Sequence, residues 1–86
     1  MRTVELTEEC SDVAGQLGYQ IRHEWLGGSG GGVCEFGGRK WIFIDLALNA
    51  DEQLEQITEA LQQDPGLHLC QIGSSLSRHL GIKRAA

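Results

Sequence analysis

The stretch Gly27–Leu46 reads GGSGGGVCEFGGRKWIFIDL and decides how the rest of the chain is interpreted. It contains a glycine-rich loop, a short strand, a Gly-Gly turn and the most apolar strand of the sequence. Because a strand this apolar needs cover on its faces, the remaining segments are expected to pack around it.

A β-hairpin is predicted around Gly37-Gly38, a pair that suits a two-residue turn with positive φ. Residues 33–36 and 40–46 form its two strands. This register sets an acid against a base and apolar side chains against each other, in the pairs Glu35/Lys40, Cys34/Trp41 and Val33/Ile42. Favourable cross-strand pairs at every position support the register.

The second strand of the hairpin is apolar on both faces, with Trp41 and Phe43 on one side and Ile42 and Ile44 on the other. Such a strand normally lies in the centre of a sheet and is buried on both faces. The chain has few helices, so a partner chain is expected to cover one of the two faces.

Apolar side chains at helical spacing predict a helix over Thr7–Leu17, capped by Thr7 and ended by Gly18. A second helix is predicted over Asn49–Gln63, where Asn49 and Glu52 resemble a capping box. Ser74 is expected to cap the start of a short third helix, which Gly81 ends.

Alternation of apolar and polar residues predicts a strand over Tyr19–Leu26. Thr3–Leu6 is a weaker candidate for an edge strand, and Leu67–Ile72 for a fourth short strand parallel to the apolar one. The predicted fold is α+β, with residues 1–86 in a single domain. It has a three-stranded antiparallel meander, packed by two main helices and a short C-terminal helix.

The composition limits the classes of function. Eighty-six residues fit one domain, and the net charge of −5 repels a phosphate backbone, so nucleic-acid binding is not expected. No apolar run has the ~18 residues of a membrane span, and no apolar signal region is present at the start. Three widely spaced cysteines form no disulfide framework. A cytoplasmic protein without a cofactor and without membrane contact is the expectation.

The glycine-rich loop offers an alternative function, the binding of a small anionic ligand by backbone N–H groups. The Walker pattern fails because Gly38 stands where lysine is required, and the dinucleotide pattern fails because a strand follows the loop instead of a helix. The competing interpretation is a flexible connection between strands, or a close approach of the loop backbone to the sheet or to a partner. The candidate ligand-binding residues are Gly27, Gly28, Ser29, Gly30, Gly31 and Gly32, with Arg39 and Lys40 as cations.

A catalytic thiol and a metal site have weaker support in the sequence than anion binding by the glycine-rich loop. Cys34 with His23 and Asp45 would form a Cys–His–Asp nucleophile, but no local signature accompanies these residues. His68-x-Cys70 is one loose pair of possible zinc ligands, whereas structural zinc sites normally show closer pairs. We therefore assign no catalytic residue and no metal site, and an enzymatic function is not favoured.

The predicted second helix has an acidic outer face, formed by Asp51, Glu52, Glu55 and Glu59. Such a face is ordinarily solvated, but the lack of compensating lysines also suits the docking of a basic partner. The basic C-terminus, with Arg78, Lys83 and Arg84, complements it. A protein-interaction or accessory domain, either with another protein or as a homodimer, is therefore the leading interpretation.

The run EWLGGSGGGVCEFGGRKWIFIDL, followed by the acidic helix start NADEQ, resembles short uncharacterised bacterial proteins with a glycine-rich GGGxC loop. The resemblance spans about residues 19–63. It implies no activity, cofactor or catalytic residue.

Overall fold

A computed structural model of the chain describes residues 2–29 and 31–82. Three α-helices, three strands and one short 3₁₀ helix make up these residues, which confirms a small α+β fold. In chain order they are α1 (Arg2–Gln16), β1 (Tyr19–Glu24), β2 (Gly32–Phe36), β3 (Arg39–Asp45), α2 (Ala50–Gln62), the 3₁₀ helix (Leu67–Leu69) and α3 (Ser74–Leu80).

The sheet is mixed, with strand order β1-β3-β2. The predicted antiparallel meander is therefore wrong at β1, which pairs in parallel with β3 from Tyr19↔Lys40 to Glu24↔Asp45. The segment after β1 does not turn back beside it. It passes the end of β3, and the chain returns as β2 on the far side.

The predicted hairpin is confirmed. β2 and β3 are antiparallel, with Glu35 paired to Lys40, Cys34 to Trp41 and Val33 to Ile42. Gly37 and Gly38 have φ values of 61° and 74°, which residues with a side chain rarely adopt. The two-residue glycine turn thus fixes the register.

One face of the sheet packs against α1 and α2. Ile42 and Ile44 of the central strand are buried in the core that this face forms with the helices. The remaining core side chains come mainly from helices: Leu6, Cys10, Val13, Ala14, Leu54, Ile57, Ala60, Leu61, Leu67, Leu76 and Leu80. The Cα positions span 43 × 33 × 16 Å, so the fold is a slab of one helical layer on one sheet.

Helix ends follow local chemistry. The capping box of Asn49 and Glu52 forms at the start of α2, and Gly81 ends α3 with a left-handed φ of 74°. Gly18, with φ 89°, follows α1 as expected. Ser74, in contrast, is the first residue of α3 and not its cap, because Gly73 occupies that position.

Two weaker strand predictions are wrong. Thr3–Leu6 belongs to α1, since Leu6 extends the buried stripe of that helix by one turn. Leu67–Ile72 forms a 3₁₀ helix followed by irregular chain, so no fourth strand exists among residues 2–29 and 31–82. None of the helices described is long and apolar enough to span a membrane.

Candidate functional site: the open face of the sheet

Among residues 2–29 and 31–82, no helix packs against the second face of the sheet. It presents Trp41 and Phe43 of β3 beside Phe36 of β2, and we call this side the open face. The Phe36 and Trp41 rings have centroids 5.6 Å apart, and those of Trp41 and Phe43 are 6.3 Å apart, in stacked arrangements. Such aromatic pairs bring large apolar area together. Phe36 is 57% exposed, so the row of rings reaches solvent.

Trp41 lies at the centre of this row. Its indole Nε1 is buried and has no hydrogen-bond partner among the described residues. The ring is therefore held by stacking and burial and not by a directional polar contact. The guanidinium of Arg22 on β1 lies 6.0 Å from the Trp41 ring centroid, within cation–π range.

Charged groups border the aromatic row on two sides. Arg22 on β1 pairs with Glu24 through an Nη2–Oε2 distance of 2.8 Å. Arg39, which is paired with Phe36, is exposed at the other end of β3. The open face therefore combines an apolar centre with two cations and one carboxylate at its border.

A shallow apolar groove lies at the β2 side of the open face. It has a volume of about 350 Å³ and exists because Gly32 contributes no side chain beside Phe43. Its lining residues are Leu26, Gly31, Gly32, Val33, Cys34 and Phe43.

The opposite side of the molecule is acidic. α1 carries Glu5, Glu8, Glu9 and Asp12, and α2 carries the predicted interaction residues Asp51, Glu52, Glu55 and Glu59, all of which are exposed. Asp51 accepts a hydrogen bond from Thr3, and Glu52 belongs to the α2 capping box. Whether this acidic surface binds a partner stays a prediction.

The glycine-rich loop does place backbone N–H groups around an anion, and that anion is the protein's own Asp45. The Asp45 side chain is fully buried. It accepts from Leu26 N at 3.0 Å, from Gly28 N at 2.8 Å and from Ala47 N at 2.9 Å. Asp45 N in turn donates to Gln56 Oε1 of α2 at 3.0 Å. Asp45, at the end of the central strand, thereby bonds both the loop and α2.

Gly31 lies against β3. A Cβ atom at this position would overlap the carbonyl group of Phe43, so only glycine fits. The glycines of the loop thus permit a close backbone approach, which was the competing interpretation of their abundance. Gly30 lies outside the described residues.

The structure does not bring the predicted cations to the loop. Arg39 and Lys40 begin β3, whereas the loop meets β3 at Phe43 and Asp45, which is roughly 10–20 Å further along at the usual rise per strand residue. Lys40 Nζ contacts the Leu17 carbonyl oxygen at 3.0 Å and Asp64 Oδ2 at 3.3 Å. Anionic-ligand binding by the loop remains a prediction, and Leu26 N and Gly28 N already have an internal acceptor.

Lys40 belongs to a polar cluster beside the core. Its ammonium lies 4.3 Å from the ring centroid of Tyr19, and the Tyr19 hydroxyl donates to Asp64 Oδ2 at 2.7 Å. The Tyr19 hydrogen bond lowers the pKa of Asp64, with smaller help from Gly66 N and Lys40. Burial, followed by the bond to Asp64, raises the pKa of Tyr19 to about 12.

The three cysteines are free. Cys34 is exposed and pairs with Trp41 on the open face, whereas His23 pairs with Ile44 on the other side of β3. Asp45 is enclosed by the loop, so the proposed nucleophile set of Cys34, His23 and Asp45 does not assemble in this structure. Burial raises the pKa of Cys10 to about 11, consistent with an inert core thiol.

The loose metal pair also has no third ligand. His68 lies in the 3₁₀ helix and Cys70 follows it, so they do not share a strand face. Within residues 2–29 and 31–82, no group of three or more histidine, cysteine or acidic side chains could hold a metal ion. Of the basic C-terminus, Arg78 is exposed on α3, and Lys83 and Arg84 lie outside the described residues.

Comparison with protein-family models, with curated proteins and with solved structures finds no significant match to this chain.

Sequence reasoning singled out the second face of β3 but missed Phe36, Arg22 and the role of Asp45. Phe36 was detectable, since it alternates with Cys34 and so shares the face of Trp41. Arg22 was not, because its position beside Phe43 depends on the parallel pairing of β1.

Proposed function

We propose that this chain is a protein-binding domain that works through the open face of its sheet. The observation that supports it most directly is the aromatic row on a sheet face that none of the described helices covers. Phe36 of this row is exposed, and Trp41 and Phe43 are half-buried. Aromatic side chains are enriched at the centres of protein interfaces, with charged groups at the rim.

The charges on the open face define the chemistry of the partner. Arg39 is exposed at the edge of the face and favours a surface that presents a carboxylate next to apolar side chains, whereas Arg22 already pairs with Glu24. Aromatic rings on a sheet also suit the stacking of single-stranded bases, but that mode needs a positively charged groove along the strand path. The net charge of −5 disfavours a nucleic-acid partner.

Affinity capture from the native host tests this proposal with three forms of the chain. Phe36→Ser removes an exposed aromatic side chain of the open face. Val4→Ser is the matched control, because Val4 is an apolar residue of α1 that is 52% exposed on another surface. We expect partners bound by the wild type to be retained by Val4→Ser and lost from Phe36→Ser. Equal recovery by all three forms, other copies of the chain included, would contradict the proposal.

A further inference from the structure

We propose that the outer edge of β2 is a docking site for an extended peptide segment in which basic and apolar side chains alternate. The segment adds to the sheet as a further strand, on the side of β2 that faces away from β3. In this mode of recognition, main-chain hydrogen bonds give affinity and pockets for alternate side chains give specificity. The contacts come from the β2 edge, so this inference goes beyond the proposed function and does not depend on the aromatic row.

The backbone of β2 has hydrogen-bonding groups to offer such a strand. β2 lies at one edge of the sheet, with β3 as its inner neighbour. The two-residue turn makes Phe36 and Arg39 a hydrogen-bonded pair, and such pairs alternate along an antiparallel ladder. The N–H and C=O groups of Val33 and Glu35 therefore point away from β3, and no described residue bonds them.

The side chains of β2 do not protect this edge. Edge strands in native proteins are ordinarily shielded from further pairing by proline, lysine or a bulge. β2 reads Gly-Val-Cys-Glu-Phe, pairs with β3 in an unbroken register and is exposed at every residue after Gly32. The edge is therefore open to an added strand.

The open face provides the first side-chain pocket beside the edge. The groove of about 350 Å³ next to Gly32 is lined mainly by apolar groups, among them Leu26 and Phe43. In an added strand, a residue opposite Cys34 points to the same face as Cys34 does. The groove therefore favours an apolar side chain at that position.

The helical side of the edge has a second groove, of about 110 Å³, between the start of β2 and α2. Gln56, Glu59 and Gln63 line it, and their spacing of three and four residues puts them on one stripe of α2. α2 packs on β2 and β3, whereas α1 packs on β1. The polar stripe of α2 therefore borders the path of an added strand.

Two exposed carboxylates on this side favour a cation. Glu35 has Lys40 as its cross-strand neighbour, but the Lys40 ammonium lies 3.3 Å from Asp64 Oδ2. Glu35 and Glu59 therefore border the path without an ion pair to a described cation. Because side chains opposite Val33 and Glu35 point to this side, we expect lysine or arginine at those positions.

Fluorescence anisotropy with a labelled peptide tests the proposal on the full chain. The probe is an end-capped peptide of about seven residues that alternates lysine with valine, and the control probe has the same composition in two blocks. We expect saturable binding of the alternating probe, at least about fivefold tighter than that of the block probe. Glu59→Lys should weaken this binding at least about fivefold, whereas Glu8→Lys, an equal charge change on exposed α1, should alter it less than about twofold.

Methylation of single backbone amides separates strand addition from charge attraction alone. Alternate N–H groups of an added strand face β2, so a methyl group on a facing amide removes a main-chain hydrogen bond. Two probes methylated at adjacent central amides should therefore differ about tenfold in Kd. Equal Kd values for these two probes, equal effects of Glu59→Lys and Glu8→Lys, or no binding of the alternating probe up to about 1 mM would overturn the proposal.

Amide hydrogen exchange locates the bound probe on the chain. The N–H groups of Val33 and Glu35 should exchange at least about tenfold more slowly when the alternating probe is saturating. Slower exchange at β1 instead of β2, or no change at saturation, would overturn the assignment of the β2 edge.

Discussion

The backbone N–H of Gly28 donates to the carboxylate of Asp45 across 2.8 Å, and this bond joins the glycine-rich loop to the end of the central strand. Because β3 lies between β1 and β2 in the sheet, the chain must pass the end of β3 to reach β2. Asp45 holds the passing segment in place by accepting from the backbone N–H groups of Leu26 and Gly28. The loop is therefore a structural crossing whose closure shapes the groove of the open face.

Replacement of this carboxylate should loosen the crossing. Asp45→Asn keeps the size of the side chain but turns an NH₂ group toward backbone donors, so at least one partly buried N–H loses its acceptor. We expect a loss of about 1–3 kcal/mol in the free energy of unfolding, measured by urea denaturation. Glu55→Gln on the exposed face of α2 is the control and should change stability by less than about 0.5 kcal/mol. Equal stability of Asp45→Asn and wild type would contradict the role of Asp45.

Two glycine substitutions should change the stability of the protein in opposite directions. In Gly31→Ala the new Cβ atom would clash with the Phe43 carbonyl group. We therefore expect the free energy of unfolding to fall by about 2 kcal/mol or more. Gly15 lies in α1, and no atom is near the methyl group that Gly15→Ala adds. Because alanine favours a helix more than glycine does, we expect the free energy of unfolding to rise by about 0.5–1 kcal/mol. Thermal unfolding of both variants checks the pair. A Gly31→Ala protein as stable as the wild type would show that the loop does not approach β3 as described.

The Tyr19–Asp64 hydrogen bond should contribute to acid stability. Because the folded state lowers the pKa of Asp64, this contribution is present above the ordinary carboxyl pKa and is lost as pH falls through the folded value. Tyr19→Phe removes the first cause of the shift. We therefore expect urea unfolding between about pH 2 and 7 to show a flatter acid limb in Tyr19→Phe than in the wild type. Parallel curves for the two proteins would contradict this assignment.

The cysteines should differ in reactivity. Cys34 is exposed on the open face, whereas Cys10 is fully buried and its pKa is raised to about 11. Alkylation followed by mass spectrometry should label Cys34 first, and Cys10 only after unfolding, since the thiolate is the reactive form. Cys34→Ser should remove the fast phase. Rapid labelling of Cys10 in the native protein would mean that the α1 side of the core is open.

The hairpin could be predicted from sequence because its determinants are local. Gly37-Gly38 limits the turn to one geometry, and Glu35/Lys40 with Cys34/Trp41 selects the register. The direction of β1 could not be predicted, since alternation shows which residues share a face but not which strand lies alongside. A loop of Gly27–Gly32 suits a turn to an adjacent strand as well as a crossing to a distant one.

The role of Asp45 at the candidate site also could not be predicted, because it depends on contacts with residues distant in sequence. In sequence it is a single acid at the end of an apolar strand, and its partners Leu26, Gly28 and Gln56 lie up to 19 residues away. The aromatic face was partly predictable, because Trp41 and Phe43 alternate with the core residues Ile42 and Ile44. Its groove was not, since it depends on where Gly31 and Gly32 meet β3.

An NMR dilution series tests most directly whether copies of the chain bind one another through the open face, as the homodimer form of the predicted interaction requires. Backbone amide signals and the Trp41 indole signal would be followed in the full chain from about 1 mM to about 10 µM. We predict concentration-dependent shifts at Phe36, Trp41 and Phe43, with little change at the exposed α2 positions Glu55 and Glu59. Shifts confined to the helices, or no shifts over the whole range, would contradict self-association through the open face.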